Sequence, residues 1–139
     1  MAGIVSGFVV TPEGEAALAG AVAEAKLHDS HLTVVHAIWR QSDEDVSEET
    51  ELIESHLQRA ADLMKAEGVS GETRLLVGSV PVVEVLVALA KELDSDLFFI
   101  GLPRRTRVGK LLLGSTAMDL LLQLDCPVVA VKAPHGDRF

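Results

Sequence analysis

The chain has 139 residues, 48% of them apolar and 24% charged, with a formal net charge of -9 at neutral pH. That length and balance describe one globular domain rather than a disordered or multi-domain chain, and no apolar run reaches the roughly 18 residues that a membrane-spanning helix needs. The acidic total argues against general nucleic-acid binding, which needs basic surface over a wide face, while a single cysteine, Cys126, excludes an internal disulfide and any multi-cysteine metal site.

Apolar runs and helical patterns then alternate along the chain. Ala2 to Val10, short, apolar and carrying two glycines, reads as the first strand. Thr11 offers an N-cap, Pro12 sits at the first helical position, and Glu13 and Glu15 place negative charge in the first turn. The helix that follows is filled with small residues, Ala16, Ala17, Ala19, Gly20, Ala21, Ala23 and Ala25, which permit close packing on a sheet. His31 to Trp39 is rich in β-branched and aromatic residues and reads as the second strand. After the polar loop Gln41 to Ser47, apolar positions recur at steps of three and four from Leu52 to Met64, an amphipathic helix spanning about Ser47 to Glu67 and closed by Gly68. Glu72 to Val77 is the third strand. Ser79 is the expected cap of a third helix, with Pro81 in its first turn, running to about Leu93. Asp96 to Gly101 is the fourth strand, Ser115 to Leu124 the fourth helix and Pro127 to Lys132 the fifth strand, with a frayed tail from His135 to Phe139.

Five strands alternating with four helices imply an α/β fold: an open parallel sheet with right-handed crossovers and helices on both faces. The nearly continuous apolar character of strands four and five predicts burial on both sides. In such sheets ligands sit beyond the carboxyl ends of the strands, where the strand order reverses.

The segment leaving strand four carries the most distinctive chemistry. Arg104, Arg105, Arg107 and Lys110 place a third of the chain's 12 basic residues within seven positions, between Gly101 and Gly114. Glycine-flanked loops leading to a helix N-terminus suit phosphate, because bare backbone N–H groups and the helix dipole both favour negative charge. A solvated basic connection is the alternative. No P-loop is present, since Gly109-Lys110 is followed by Leu111, and strand one lacks both a dinucleotide fingerprint and the acidic pair of a receiver domain.

Catalytic groups are poorly represented. The five histidines, His28, His31, His36, His56 and His135, are scattered without metal-ligand spacing, and His36 is expected to be a hydrogen-bonded core residue. Glu48, Glu49, Glu51 and Glu54 form a solvated helix face. Ser115 has no base beside it in sequence and reads as an N-cap or phosphate donor. Trp39 is expected to pack at the end of strand two, with ligand contact as the alternative, and Cys126 is expected to be a buried structural thiol. The N-terminus Met1-Ala2-Gly3-Ile4-Val5 lacks the basic region and cleavage site of a secretory signal, so a cytoplasmic location is expected.

The chain resembles the universal stress protein family. Its nucleotide signature is Gly, two residues, Gly, nine residues, then Gly followed by Ser or Thr; Gly101, Gly114 and Ser115 stand at these intervals, with Arg104 in the second glycine's place. The strand-two ending Val34-Val35-His36-Ala37, the helix entry Leu112-Leu113-Gly114-Ser115 and the closing Asp125-Cys126-Pro127-Val128-Val129-Ala130-Val131 agree, and the similarity covers residues 3 to 133. The resemblance implies a Rossmann-like, adenine nucleotide alpha hydrolase-like sheet of order 3-2-1-4-5, whose reversal lies between strands one and four. It also implies a homodimer through strand five, and ATP or AMP as ligand in some members but not in others. Carried over by position, the nucleotide site comprises Thr11, Ala37, Gly101, Gly114, Ser115 and Thr116. Arg104, Arg105 and Lys110 add charge on the phosphate side.

Two positions depart from that pattern. The family's adenine-contacting Asp falls on Val9, which accepts no side-chain hydrogen bond, and the loss of a charge-assisted bond costs about 1.5 to 3 kcal/mol, roughly ten to a hundredfold in affinity. Arg104 either obstructs the phosphate space or grips phosphate with its guanidinium. Two functions follow: a cytoplasmic stress-response sensor of ATP, AMP or another phosphorylated ligand, acting on a regulatory protein, with hydrolysis at most slow and incidental; or a nucleotide-independent dimeric interaction protein with a degenerate pocket. The carried-over site residues include no metal ligand, and the resemblance names no metal.

Overall fold

The computed structural model of the protein describes residues 3–103 and 113–134. Its elements are β1 (Gly3–Gly7), α1 (Pro12–His28), β2 (His31–Trp39), α2 (Ser47–Ala66), β3 (Gly71–Gly78), α3 (Val82–Glu92), β4 (Leu97–Leu102), α4 (Ser115–Gln123) and β5 (Val128–Lys132). All pairings are parallel, in the order β3-β2-β1-β4-β5. The chain therefore winds outward from β1 through β2 to β3, crosses back to the other side of β1 as β4, and ends at β5.

Local signals account for most element ends. The Thr11 backbone is extended (φ -142, ψ 163) and its hydroxyl accepts from the Gly14 N–H at 3.0 Å, so one of the free donors of α1 is satisfied, with Pro12 just inside the helix. Asp29 closes α1 in the left-handed region (φ 53), donating its N–H to the Ala25 carbonyl. Gly68, at φ 71, turns the chain after α2 as expected of a glycine there.

Three expectations at element ends are corrected. β1 pairs only to Gly7: Phe8 N–H still donates to Val35 O at 2.8 Å, but Thr11 N–H then bonds back to Val9 O at 3.0 Å, and the chain turns out of the sheet. Ser79 does not cap α3. Pro81 occupies the cap position with extended backbone (φ -55, ψ 147), and its carbonyl receives the Glu84 N–H at 3.0 Å. Ser115 is not an N-cap either, because Gly114 holds that place and Ser115 is the first helical residue.

Two cores lie on opposite faces of the sheet. Ile4, Phe8, Leu18, Leu32, Val34 and Phe99 join residues of α1 and α2 on one face. Val5, Val35, Phe98, Ile100 and Leu102 join α3 and α4 on the other. Full burial of side chains of this size stabilises the fold by about 1.5–3 kcal/mol each. Strand β4 is buried as predicted for a two-sided strand, but β5 is not: its residues are half-buried or exposed, because it is the last strand and pairs with β4 alone. Cys126 is likewise only partly buried, with its Sγ 3.9 Å from Ser95 Oγ, and Trp39 remains 43% exposed.

Candidate functional site

The sheet's reversal between β1 and β4 opens a cavity of about 270 Å³ at the carboxyl ends of the strands. Its floor is Gly7 at the end of β1, the following Phe8 and Val9, and Val35-His36-Ala37 from β2. The end of β4, from Ile100 to Pro103, forms one wall; Val82 and Leu86 of α3, with Gly114, Thr116, Ala117 and Leu120 of α4, form the other. The wall is mainly aliphatic. Among the described residues along it, only His36 and Thr116 are of polar type, and the alternation of β2 turns the His36 side chain toward the α1 and α2 face.

The backbone at the mouth is set by close packing. A Cβ on Gly101 would stand 2.4 Å from the Glu13 carbonyl oxygen and 2.9 Å from the Gly14 nitrogen, so the end of β4 touches the first turn of α1 directly. A Cβ on Gly14 would stand 1.9 Å from the Val9 carbonyl oxygen, far inside contact distance. These two glycines thus hold the β1 turn, the α1 entry and the β4 exit in one contact, which fixes the mouth's shape. Gly114 differs: no described atom lies within 4 Å of a Cβ placed there, and its extended backbone (φ -64, ψ 160) enters α4 without a side-chain cap bond. The first amides of α4, beside the cavity, therefore have no side-chain acceptor among the described residues. An N-terminus of this kind favours an anion.

His36 is held at the floor. Its Nδ1 lies 2.7 Å from the Phe8 carbonyl oxygen, which belongs to the peptide joining Phe8 to Val9. A carbonyl only accepts, so Nδ1 carries the hydrogen and the neutral ring leaves Nε2 as an acceptor. The hydrogen-bonded histidine expected from the sequence is present, half-buried at the edge of the cavity.

Of the residues singled out from sequence, Ala37, Gly101, Gly114 and Thr116 come together around this cavity. Thr11 does not reach its wall, since its hydroxyl is committed to Gly14. Ser115 is exposed, one residue inside α4, and is also off the wall. Arg104, Arg105 and Lys110 lie outside the described residues. Val9, the position on which the family's Asp falls, is on the floor and 42% exposed. Sequence reasoning missed Val82 and Leu86; their spacing of four signals a common helix face, but a local pattern does not say that this face borders an opening.

A second hollow, about 380 Å³, lies at the opposite end of the sheet, lined among others by Lys91, Asp94, Asp96, Asp125 and Cys126. It is larger, but it stands at the amino ends of the strands, away from the reversal where open α/β sheets bind ligands. No group of three or more His, Cys, Asp or Glu among the described residues could hold a metal ion. The resolved charge effects are remote from the cavity: the Arg74 guanidinium holds Glu72 below the usual carboxylate range, and Glu15 raises Arg59.

The family model described as the Universal stress protein family matches residues 7–132 of the chain. The chain belongs to the universal stress protein family. A universal stress protein from Mycolicibacterium smegmatis is 40% identical over 137 residues, covering 96% of this chain and 98% of that one. Among solved structures, a universal stress protein from Archaeoglobus fulgidus superposes with a TM-score of 0.77 at 32% identity, covering 95% of this chain and 98% of the other. A structure of the universal stress protein from the same organism in complex with dAMP gives 0.70 at 30% identity, with the same two coverages. The parallel order β3-β2-β1-β4-β5 is the architecture of these universal stress proteins, and the resemblance read from the signature glycines is thereby established.

Proposed function

We propose that the protein is a cytoplasmic, single-domain stress-response sensor that binds ATP, AMP or another phosphorylated ligand at the switch point between β1 and β4. One observation carries this reading: an apolar, ring-sized cavity at the sheet's reversal opens beside the N-terminus of α4, whose first amides have no side-chain acceptor among the described residues. The dAMP complex of the Archaeoglobus fulgidus relative supports an adenine nucleotide as first candidate. The ring of the ligand lies between β4 and α3, near Ala37. Its phosphates meet Gly101, the amides of Gly114, Ser115 and Thr116, and the cationic segment that includes Arg104, Arg105 and Lys110; Thr11 supports this site by fixing the first turn of α1. The protein binds and reports rather than catalyses, with any hydrolysis slow and incidental.

Occupancy is reported to a regulatory protein by a homodimer formed through β5. Support for the pairing is the outer edge of that strand, which has no neighbour among the described strands, and the exposed Met118, Leu121 and Leu122 on the adjoining α4. A second reading, a dimeric interaction protein that needs no nucleotide, draws on one specific observation: Val9 presents an aliphatic side chain where the family places a carboxylate.

Mass spectrometry of ligand released from the purified protein, followed by calorimetry with ATP and AMP, separates the two. Arg104→Ala with Lys110→Ala should weaken ATP and inorganic polyphosphate together, and added salt should do the same. A protein that releases nothing and shows no heat up to millimolar nucleotide belongs to the second class.

A further inference from the structure

The cavity at the sheet's reversal is an unfilled end of the apolar core on the α3 and α4 face. Val35, Leu86, Ile100, Leu102 and Leu120 belong both to that core and to the cavity lining. Thr116, in the first turn of α4, is the one polar side chain that the described residues bring to it, and it stands at the end where phosphate is placed. The apolar surface continues past the mouth. Val9 lies on the floor, Trp39 follows Ala37 by two residues on the same face of β2, and Val80 precedes Val82 by two; each is 42% or 43% exposed. Large apolar side chains gathered in water around an apolar opening mark a surface that something covers. We propose that the ligand of this site carries a hydrocarbon chain where a nucleotide carries its base: it is a phosphate or diphosphate ester of a short alkyl or prenyl alcohol, with its first carbons in the cavity and its far end passing Ala37 toward Trp39. The inference rests on the reading that the cavity takes a phosphorylated ligand, and names what the phosphate is attached to.

The choice between base and hydrocarbon follows from what each asks of the wall. A purine brings several donors and acceptors on its edge. With no polar side chain beside them, each depends on a backbone group or is buried unpaired, which is costly. A hydrocarbon makes no such demand, and each methylene it takes out of water raises affinity by about fourfold. The opening also has a direction: it runs across the strand ends from β4 and the α4 entry, over β1, to Ala37 on β2. Trp39 continues that line by about 7 Å. Its register partner on β3 is Gly78, and a Cβ placed there would meet only Val85 Cγ2, at 4.0 Å, so among the described residues nothing crowds the strand end beside the indole.

The test is calorimetry of the full chain with n-butyl, n-hexyl and n-octyl phosphate, each below its micelle concentration, and with AMP. Affinity should rise by about tenfold with each added pair of methylenes, and octyl phosphate should bind about tenfold tighter than AMP. Trp39 is the chain's single tryptophan, so its emission reports the far end directly: it should shift to the blue with octyl phosphate and stay unchanged with butyl phosphate. Trp39→Ala, at a half-exposed position, should weaken octyl phosphate by about tenfold and leave butyl phosphate as it is. Ala117→Leu, which narrows the cavity from its wall, should flatten the series; an unchanged series there would put the chain at some other surface and overturn the inference. If AMP binds while affinity ignores chain length, or AMP binds tighter than octyl phosphate, the hydrocarbon is overturned and the nucleotide-binding reading stands. If neither AMP nor any alkyl phosphate binds, both are overturned.

Discussion

Replacing Gly101 by alanine tests whether the first signature glycine is there for packing as well as for ligand. The added methyl group would meet three backbone atoms of α1, the Glu13 carbonyl oxygen at 2.4 Å, the Glu13 carbonyl carbon at 2.6 Å and the Gly14 nitrogen at 2.9 Å. None is the end of a flexible side chain, so either the β4 exit or the first turn of α1 has to move. That turn carries the Thr11 cap bond to Gly14. Overpacking of this kind costs about 1–3 kcal/mol, and disturbing the cap adds about 1 kcal/mol, so a loss of about 2–4 kcal/mol and a fall in Tm of about 7–14 °C are expected for a chain of this length. Gly114→Ala is the control, because a Cβ there meets no described atom within 4 Å. It exchanges a tolerated cap residue for a poor one, worth about 0.5–1 kcal/mol and about 2–3 °C. Differential scanning calorimetry of both variants without ligand is the assay. Equal Tm values for Gly101→Ala and the parent protein would refute the claim that β4 and α1 are locked by that glycine.

Thr11→Ala should lower stability by about 1 kcal/mol, read by urea denaturation, through loss of the hydroxyl that accepts from Gly14 N–H. Val9→Asp should strengthen AMP binding by about ten to a hundredfold in calorimetry, the value of a charge-assisted hydrogen bond, and leave inorganic polyphosphate unchanged. Glu72 is held below the usual carboxylate range chiefly by its hydrogen bond to Arg74. A lowered folded-state pKa makes the pair's contribution full at neutral pH and lost as pH falls through that lowered value. Arg74→Ala should therefore unfold at lower temperature than the parent near neutrality, with the two melting curves converging below the carboxylate range; a gap that persists in acid would assign the effect to something other than this pair.

Element type and order were legible because each depends on near neighbours. Thr11, Pro12 and the two glutamates that follow define the α1 entry within a few residues, and the β-branched run of β2 marks its own limits. Ends governed by distant contacts were less legible. Val9 and Val10 are as apolar as a strand requires, but the chain leaves the sheet after Gly7 to turn toward α1, so β1 is shorter than its apolar run. Pro81 took the cap position from Ser79 because its own extended backbone already stands outside the helix. At the site, the spacing of Gly101, Gly114 and Ser115 pointed to the right end of the sheet. What spacing does not carry is the partner of each residue: that Gly101 touches Glu13, that Thr11 is committed to Gly14 and that His36 reaches the Phe8 carbonyl are contacts between segments far apart or facing different ways.

Helix α4 buries a single residue, Leu120, where each of the other three helices buries at least four. Local opening costs least where the least apolar surface is lost, so amide hydrogens of Met118 to Gln123 should exchange with solvent sooner than those of α1 to α3. The same helix lines the cavity through Thr116, Ala117 and Leu120 and leads through Leu124 into β5, so the least firmly anchored helix of the fold is also the one that walls its opening.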